Sequence, residues 1–330
     1  MIFVVTVDTE GDNQWDYGAP LTTRNVGYWE PFQATCEKHG VLPTYLITSE
    51  IAADLKAQTL LKAWIARGAA EVGAHLHPWT TPPFQDRSGF RFNDPAHAFL
   101  NELPDELLWQ KLQALTQQIE DCIGVRPVSF RAGRFGLDMR AARALGRLGY
   151  VVDSSVTPFF NNNYKGLRDR PGGPDFRSQG LNPFVILGTD VLEAPLTIVP
   201  TYALLRRFPS LLNVYRSLPV RAARKIVFRR WLVPQPVWLC PMPEFAHLHL
   251  SSAWRTSQNQ GSPLAVMMLH SSELMPGGSP SRLTSSSVQE LLELLDDFFG
   301  FVIESGGVPA TLSSAAIRLR SSNQFEVRSL

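Results

Sequence analysis

Strand-like and helix-like segments alternate along the first 155 residues of this chain of 330, which restricts its fold more than any other feature. Repeated strand–helix units are typical of a parallel sheet covered by helices, so we predict an α/β fold. The predicted strands are Ile2 to Asp8, Val41 to Thr48, Ala70 to His77, Val128 to Ala132 and Tyr150 to Ser154. The predicted helices are Trp29 to Lys38, Ser49 to about Arg67, Asp105 to Ile123 and Leu137 to Leu148.

The second half of the chain interrupts this alternation and then resumes it. Residues 156 to 183 read as a loop, and residues 201 to 257 read as mostly helical with many prolines. The remaining predictions are strands at Phe184 to Leu187, Leu192 to Val199, Leu264 to Leu269 and Val308 to Leu312, a helix at Ser285 to Glu304, and a frayed tail after Ser321. We therefore predict a single domain over residues 1–330 with a loop and helical insertion at about 156–260.

Polar side chains follow two of the predicted strands at a spacing of two residues. Asp8 and Glu10 follow the first strand, and His75 and His77 end the third. Because side chains alternate along a strand, the members of each pair are expected to point the same way. Imidazole nitrogens and carboxylate oxygens are ligands of zinc, so the two pairs predict a metal site.

Two further residues end predicted strands in the same manner. Arg131 lies in FRAGRFG, and His270 lies in MMLHSSEL. In a barrel of parallel strands the carboxyl ends meet on one face, where active sites lie. Each residue alone also has a structural interpretation: Asp8 as a cap or turn residue, Arg131 as an ion-pair partner, and His270 as a core histidine. The shared position of all four signals favours a functional site.

The order of these motifs resembles that of the polysaccharide deacetylase family, the NodB-homology domain of carbohydrate esterase family 4. The resemblance covers most of the chain and is loose between residues 156 and 260. It implies a distorted, incomplete (β/α) barrel with an insertion. It also implies metal-dependent removal of an acyl group, usually N-acetyl, from an amino sugar.

The resemblance also implies a role for each motif. By analogy, Asp8 is the general base, Arg131 orients it, and His270 is the general acid. Glu10, His75 and His77 hold a divalent metal, most simply Zn²⁺, with Asp12 as an alternative to Glu10. The family usually has two histidines four residues apart; here Trp79 occupies the second position, and His77 is the substitute. Asp153, in YVVDSS, is expected near the site.

Composition and charge bear on partners and location. A net charge of +1 gives no argument for a nucleic-acid partner. Three widely spaced cysteines fit a reducing compartment, and the N-terminus does not resemble a signal peptide, so we expect a cytoplasmic protein. The segment 204–231 is basic and amphipathic, which fits either peripheral membrane contact or an ordinary solvated face.

These features together suggest a substrate. We expect an acetylated amino sugar, lipid- or nucleotide-linked, that is a precursor of a cell-surface polysaccharide, lipopolysaccharide or glycolipid. Two alternatives stay open: hydrolysis of a small non-sugar amide, for which the same residues would serve, and carbohydrate binding without catalysis, which would not need both a base and an acid.

Overall fold

The computed structural model describes residues 1–12, 20–85, 89, 99–163, 172–200, 236–241 and 246–330. The described strands are β1 (Ile2–Thr9), β2 (Thr44–Ile47), β3 (Glu71–Leu76), β4 (Ser129–Ala132), β5 (Val152–Asp153), β6 (Phe184–Ile186), β7 (Leu192–Glu193), β8 (Ile198–Pro200), β9 (Pro236–Trp238), β10 (Leu264–His270), β11 (Val308–Pro309) and β12 (Glu326–Arg328). The described α-helices are α1 (Trp29–Lys38), α2 (Ser49–Ala53), α3 (Leu55–Ala66), α4 (Asp105–Ile123), α5 (Met139–Leu148), α6 (Ala246–Asn259), α7 (Ser285–Glu304) and α8 (Leu312–Ser321).

Ten strands form one curled sheet, an incomplete half-barrel flanked by helices. Its order is β10-β1-β2-β3-β4-β5-β7-β6-β12, with β11 beside the start of β1. The pairs from β10 to β7 are parallel, and β6 pairs with β7 antiparallel. The predicted α/β fold with an incomplete barrel is confirmed. The single-domain organisation stays a prediction.

Alternate residues of the central strands belong to two separate hydrophobic clusters. In β1, Phe3, Val5 and Val7 pack in the cluster that contains the buried faces of α1, α3, α4, α5 and α7. Val4 packs in the second cluster, with apolar residues of β7, β10 and α8. Because strand side chains have a period of two, Thr6 and Asp8 lie on the same face as Val4, which we call the inner face.

Two element predictions are wrong because a capping residue starts a new helix. The single helix predicted over Ser49 to Arg67 is two helices, since Asp54 has an extended backbone and its carboxylate accepts from the Ala57 N–H at 2.8 Å. The strand predicted over Val308 to Leu312 ends at Pro309, because Thr311 caps α8.

Two other predictions fail where strands are short. The strand predicted over Leu192 to Val199 is divided into β7 and β8, which belong to different sheets. The tail predicted to be frayed forms β12, which pairs in parallel with β6. Of the described helices, none combines the length and the apolar character needed to cross a lipid bilayer.

Candidate metal centre and acid–base pair

The predicted site residues lie on the inner face at the carboxyl ends of four strands. In β3 and β4 the residues Val72, Ala74, Leu76, Phe130 and Ala132 pack in the cluster beneath the outer helices. The alternate positions, His75, His77 and Arg131, therefore point inward. The register places Asp8 opposite His270 and His75 opposite Arg131, so parallel alignment brings these side chains to one end of the barrel.

Three side chains converge as a candidate metal centre. Glu10, His75 and His77 each offer one ligand atom, and these atoms lie within 4.8 Å of one another. His77 Nε2 lies 2.7 Å from Glu10 Oε2. Both ring nitrogens of His77 are buried, and this contact with Glu10 is the one polar contact they make among the described residues. Buried polar atoms normally have hydrogen-bond partners, so an imidazole held against a carboxylate in this way fits a pair of ligands to a bound cation.

His75 has the tautomer and charge that a metal ligand needs. Its Nδ1 lies 3.0 Å from the carbonyl oxygen of Arg131, which can only accept, so Nδ1 carries the proton and Nε2 keeps its lone pair. Burial lowers the pKa of His75 to about 4, although Asp8 and Glu10 oppose this effect. The imidazole is therefore neutral at neutral pH.

A close backbone approach holds the ring of His77 in place. A Cβ atom at Gly133 would lie 2.4 Å from His77 Nδ1 and 2.6 Å from the Leu76 carbonyl oxygen, so only glycine fits there. The next two residues, Arg134 and Phe135, have φ angles of 52° and 59°, which is the left-handed region that bulky residues rarely adopt. The turn after β4 is thus shaped around a metal-ligand candidate.

The structure distinguishes between the two acids proposed as the carboxylate ligand. Glu10 joins the two imidazoles. Asp12 instead accepts hydrogen bonds from the Thr22 hydroxyl and from the backbone and guanidinium of Arg24. Asp12 is therefore engaged with Thr22 and Arg24, and of the two acids Glu10 is the one placed beside the two imidazoles.

Asp8 and Arg131 form a buried ion pair beside the metal centre. Arg131 Nη1 donates to Asp8 Oδ1 at 2.5 Å, and Nη2 donates to the hydroxyls of Thr6 (2.9 Å) and Ser154 (3.0 Å). Burial favours the protonated form of Asp8, but Arg131, His75 and His270 together lower its pKa below the usual value. Asp8 is thus an ionised carboxylate with a fixed orientation.

His270 faces Glu10 on one side and Glu273 on the other. Its Nε2 lies 3.7 Å from Glu10 Oε1, and its Nδ1 lies 3.5 Å from Glu273 Oε1. The same Glu273 oxygen accepts from the His270 backbone N–H at 3.0 Å. Burial disfavours the imidazolium, but Glu273, Glu10 and Asp8 raise the pKa of His270 to about 9. His270 is therefore charged at neutral pH, as a proton donor must be.

We expect the His270 imidazole of the metal-free protein to titrate near pH 9 and Glu273→Gln to lower that midpoint. A pKa raised above the ordinary value means that the charged form stabilises the fold below about pH 6.5 and that this contribution is lost as the pH rises through about 9. NMR of the ring protons measures both midpoints, with Glu290→Gln on the exposed side of α7 as the control. An unchanged midpoint in Glu273→Gln would refute the role of this carboxylate.

Two buried acids, Asp153 and Glu193, interact with Arg131 through their charges. Asp153 was expected near the site; its oxygens accept from the N–H and hydroxyl of Ser155, at 2.8 and 2.9 Å. Glu193, which the sequence interpretation missed, pairs across the sheet with Asp153. Burial and the charge of Asp153 raise the pKa of Glu193 well above its usual value. The sequence signal was an acid within the apolar segment Val191 to Leu196.

The segment 204–231, predicted to allow membrane contact, lies outside the described residues.

Comparisons with known proteins bear on the fold. No protein-family model matches the chain, and no curated protein matches it significantly in sequence. Among solved structures, a provisionally assigned polysaccharide deacetylase from Mycobacterium smegmatis is similar, with a TM-score of 0.57 and 15% identity, covering 99% of this chain and 93% of that one.

Two other matches are weaker. A 4-alpha-glucanotransferase from Thermococcus litoralis has a TM-score of 0.49 and 13% identity, covering 99% of this chain and 39% of that one. The Xyl-CE4 domain of a multidomain xylanase from the hindgut metagenome of Trinervitermes trinervoides has a TM-score of 0.45 and 9% identity, covering 99% and 96%. With its TM-score above 0.5, the mycobacterial structure shows the fold: this chain has the fold of that provisionally assigned polysaccharide deacetylase.

Proposed function

We propose that this chain is a metal-dependent deacetylase that removes an N-acetyl or other N-acyl group from an amino sugar. The precursor of a cell-surface polysaccharide, lipopolysaccharide or glycolipid is the substrate context we favour. One observation carries the proposal: Glu10, His75 and His77 converge beside an ionised carboxylate, Asp8, and a charged imidazole, His270. Mere binding of a sugar does not require both a base and an acid.

Zinc fits the three proposed ligands. Two imidazoles and one carboxylate are a set found in catalytic zinc sites, which leave a position for water. The neutral His75, the close contact of His77 Nε2 with Glu10 and the glycine required at position 133 support this assignment. When bound, the metal would polarise the amide carbonyl and lower the pKa of a water molecule.

The protein side chains then divide the proton transfers between them. Asp8 accepts a proton from the attacking water, and Arg131 keeps this carboxylate ionised and aimed. His270 donates a proton to the leaving nitrogen, so that the products are a carboxylic acid and the free amine. The separation of the pKa of Asp8, lowered, from that of His270, raised to about 9, supports these opposite roles.

Partly exposed aromatic rings, one of them packed on His77, favour a sugar over a small amide. Trp79 packs on His77 with a ring-centroid distance of 4.3 Å. Trp238 lies 5.9 Å from Phe135 and 4.7 Å from Phe160, measured between ring centroids. Ligand sites combine such apolar rings with a few directed polar groups, and this combination suits a ring with one apolar face and several hydroxyls.

The zinc-loaded protein is expected to release acetate from N-acetylglucosamine oligomers, and the chelator-treated protein is not. Acetate is measured enzymatically, and the free amine is measured by mass spectrometry of the product. Acyl release from small non-sugar amides alone would replace the sugar proposal by the amidohydrolase alternative. Sugar binding without acyl release from any of these compounds would contradict the enzymatic proposal itself.

A further inference from the structure

A buried lysine lies among apolar residues of α4 and outside the site described above. Lys111 is fully buried in a helix face that also buries Leu107, Leu108, Leu112 and Leu115. Burial lowers the pKa of its amine to about 8. Taking an ammonium group out of water is unfavourable, so its retention at this position calls for a specific set of contacts.

The contacts made by the amine of Lys111 are with the segment that follows β3. Its Nζ donates to the carbonyl oxygen of Pro78 at 2.8 Å and to that of Thr81. The amine also lies 5.2 Å from the centroid of the Phe84 ring. Pro78 and Thr81 are buried, so without Lys111 their carbonyl groups would lose these donors in a place that water does not reach.

That segment carries His77. The carbonyl oxygen of His77 accepts from the N–H groups of Thr80 and Thr81, at 3.3 and 3.1 Å, which closes a turn directly after the imidazole. The two carbonyl groups that accept from Lys111 belong to Pro78 and Thr81, one near each end of that turn. Trp79, within the turn, packs on the His77 ring. The amine thus ties both ends of the turn to α4.

We propose that Lys111 is a positioning residue for the metal centre, which it orients through the turn that carries His77. The inference deepens the proposed function, since it rests on the metal centre assigned there. Groups that orient a metal ligand typically contribute roughly 10- to 100-fold to metal affinity. Apart from the contact of its Nε2 with Glu10, the His77 ring has no polar partner among the described residues, so its backbone and its ring contacts contribute to its orientation.

The test measures zinc affinity by competition with a chromophoric chelator in wild type, Lys111→Met and the control Lys62→Met. Methionine keeps the length of the lysine chain and removes the donors, and Lys62 is an exposed lysine on α3. We expect Lys111→Met to weaken zinc binding about tenfold or more and to lower kcat with little change in KM. Lys62→Met is expected to bind zinc as wild type does.

Circular dichroism and thermal unfolding identify variants that do not fold. If Lys111→Met does not fold, Lys111→Gln replaces it, since its amide group keeps one donor; it is expected to weaken zinc binding about threefold to tenfold. A folded variant with wild-type zinc affinity, even one with a lowered Tm, overturns the role of Lys111. Absence of zinc binding by the wild-type protein instead overturns the metal-dependent function and this inference with it.

Discussion

Replacing His75 and His77 together by alanine is expected to abolish stoichiometric zinc binding and acyl release. The two imidazoles are the only nitrogen ligands in the proposed centre, and Glu10 alone offers one carboxylate. We expect zinc affinity to fall by at least about a thousandfold, well beyond the roughly 10- to 100-fold contributed by groups that only orient ligands. Metal content after dialysis and chelator competition measure the loss.

His39→Ala is the matched control for this variant. His39 lies at the end of α1 and pairs with Asp296 on the surface, at 2.8 Å, away from the barrel mouth. It is expected to keep wild-type zinc affinity and activity. Full zinc occupancy in the folded double variant would show that the ligand assignment is wrong, whatever happens to the activity.

Asp8→Asn is expected to keep zinc and to lose about 10²- to 10⁴-fold in kcat, the range typical of a general base. The asparagine oxygen can still accept from Arg131, but the amide cannot take a proton from water. Breaking a buried ion pair also costs stability, about 3–5 kcal/mol when one partner is removed, so the folded fraction is measured by circular dichroism. Zinc content and kcat are then compared on the folded protein.

Asp12→Asn is the control for Asp8→Asn, because it makes the same change at another buried acid, four residues further along the chain. Asp12 is paired with Arg24 rather than with the metal centre, so its replacement is expected to affect loop stability more than kcat. If Asp8→Asn retains kcat within about threefold of wild type, Asp8 is not the base. If it loses zinc, Asp8 belongs to the ligand set.

Residues at strand ends were the part of the site that the sequence could predict. Asp8, His75, Arg131 and His270 each end an apolar run, and strand periodicity assigns each to a face. The choice between Glu10 and Asp12 could not be made in this way. Both follow β1 at even spacing, and only the tertiary contacts of Asp12 with Thr22 and Arg24 show that Asp12 is already paired.

Residues that act through distant partners were missed. Glu193 and Lys111 are charged residues in apolar segments, a signal that the sequence contains, but the partner of Glu193 is 40 positions away and those of Lys111 are 33 and 30 positions away. Among the elements, β12 was missed because it has only three residues, two of them charged, and is mostly exposed. Such a strand forms only because β6 offers an open edge, which no local pattern reveals.

The order of strands and helices, the inward face of each central strand and the residue types at the strand ends follow from the chain's own periodicity. Those are local properties, set by backbone geometry and by which side chains avoid water. The tertiary structure determines which side chains come into contact and which of them are charged. Register brings Asp8 to Arg131 and Glu10 to His77. Burial lowers the pKa of His75, whereas the carboxylates around His270, Glu273 first, outweigh burial and raise its pKa.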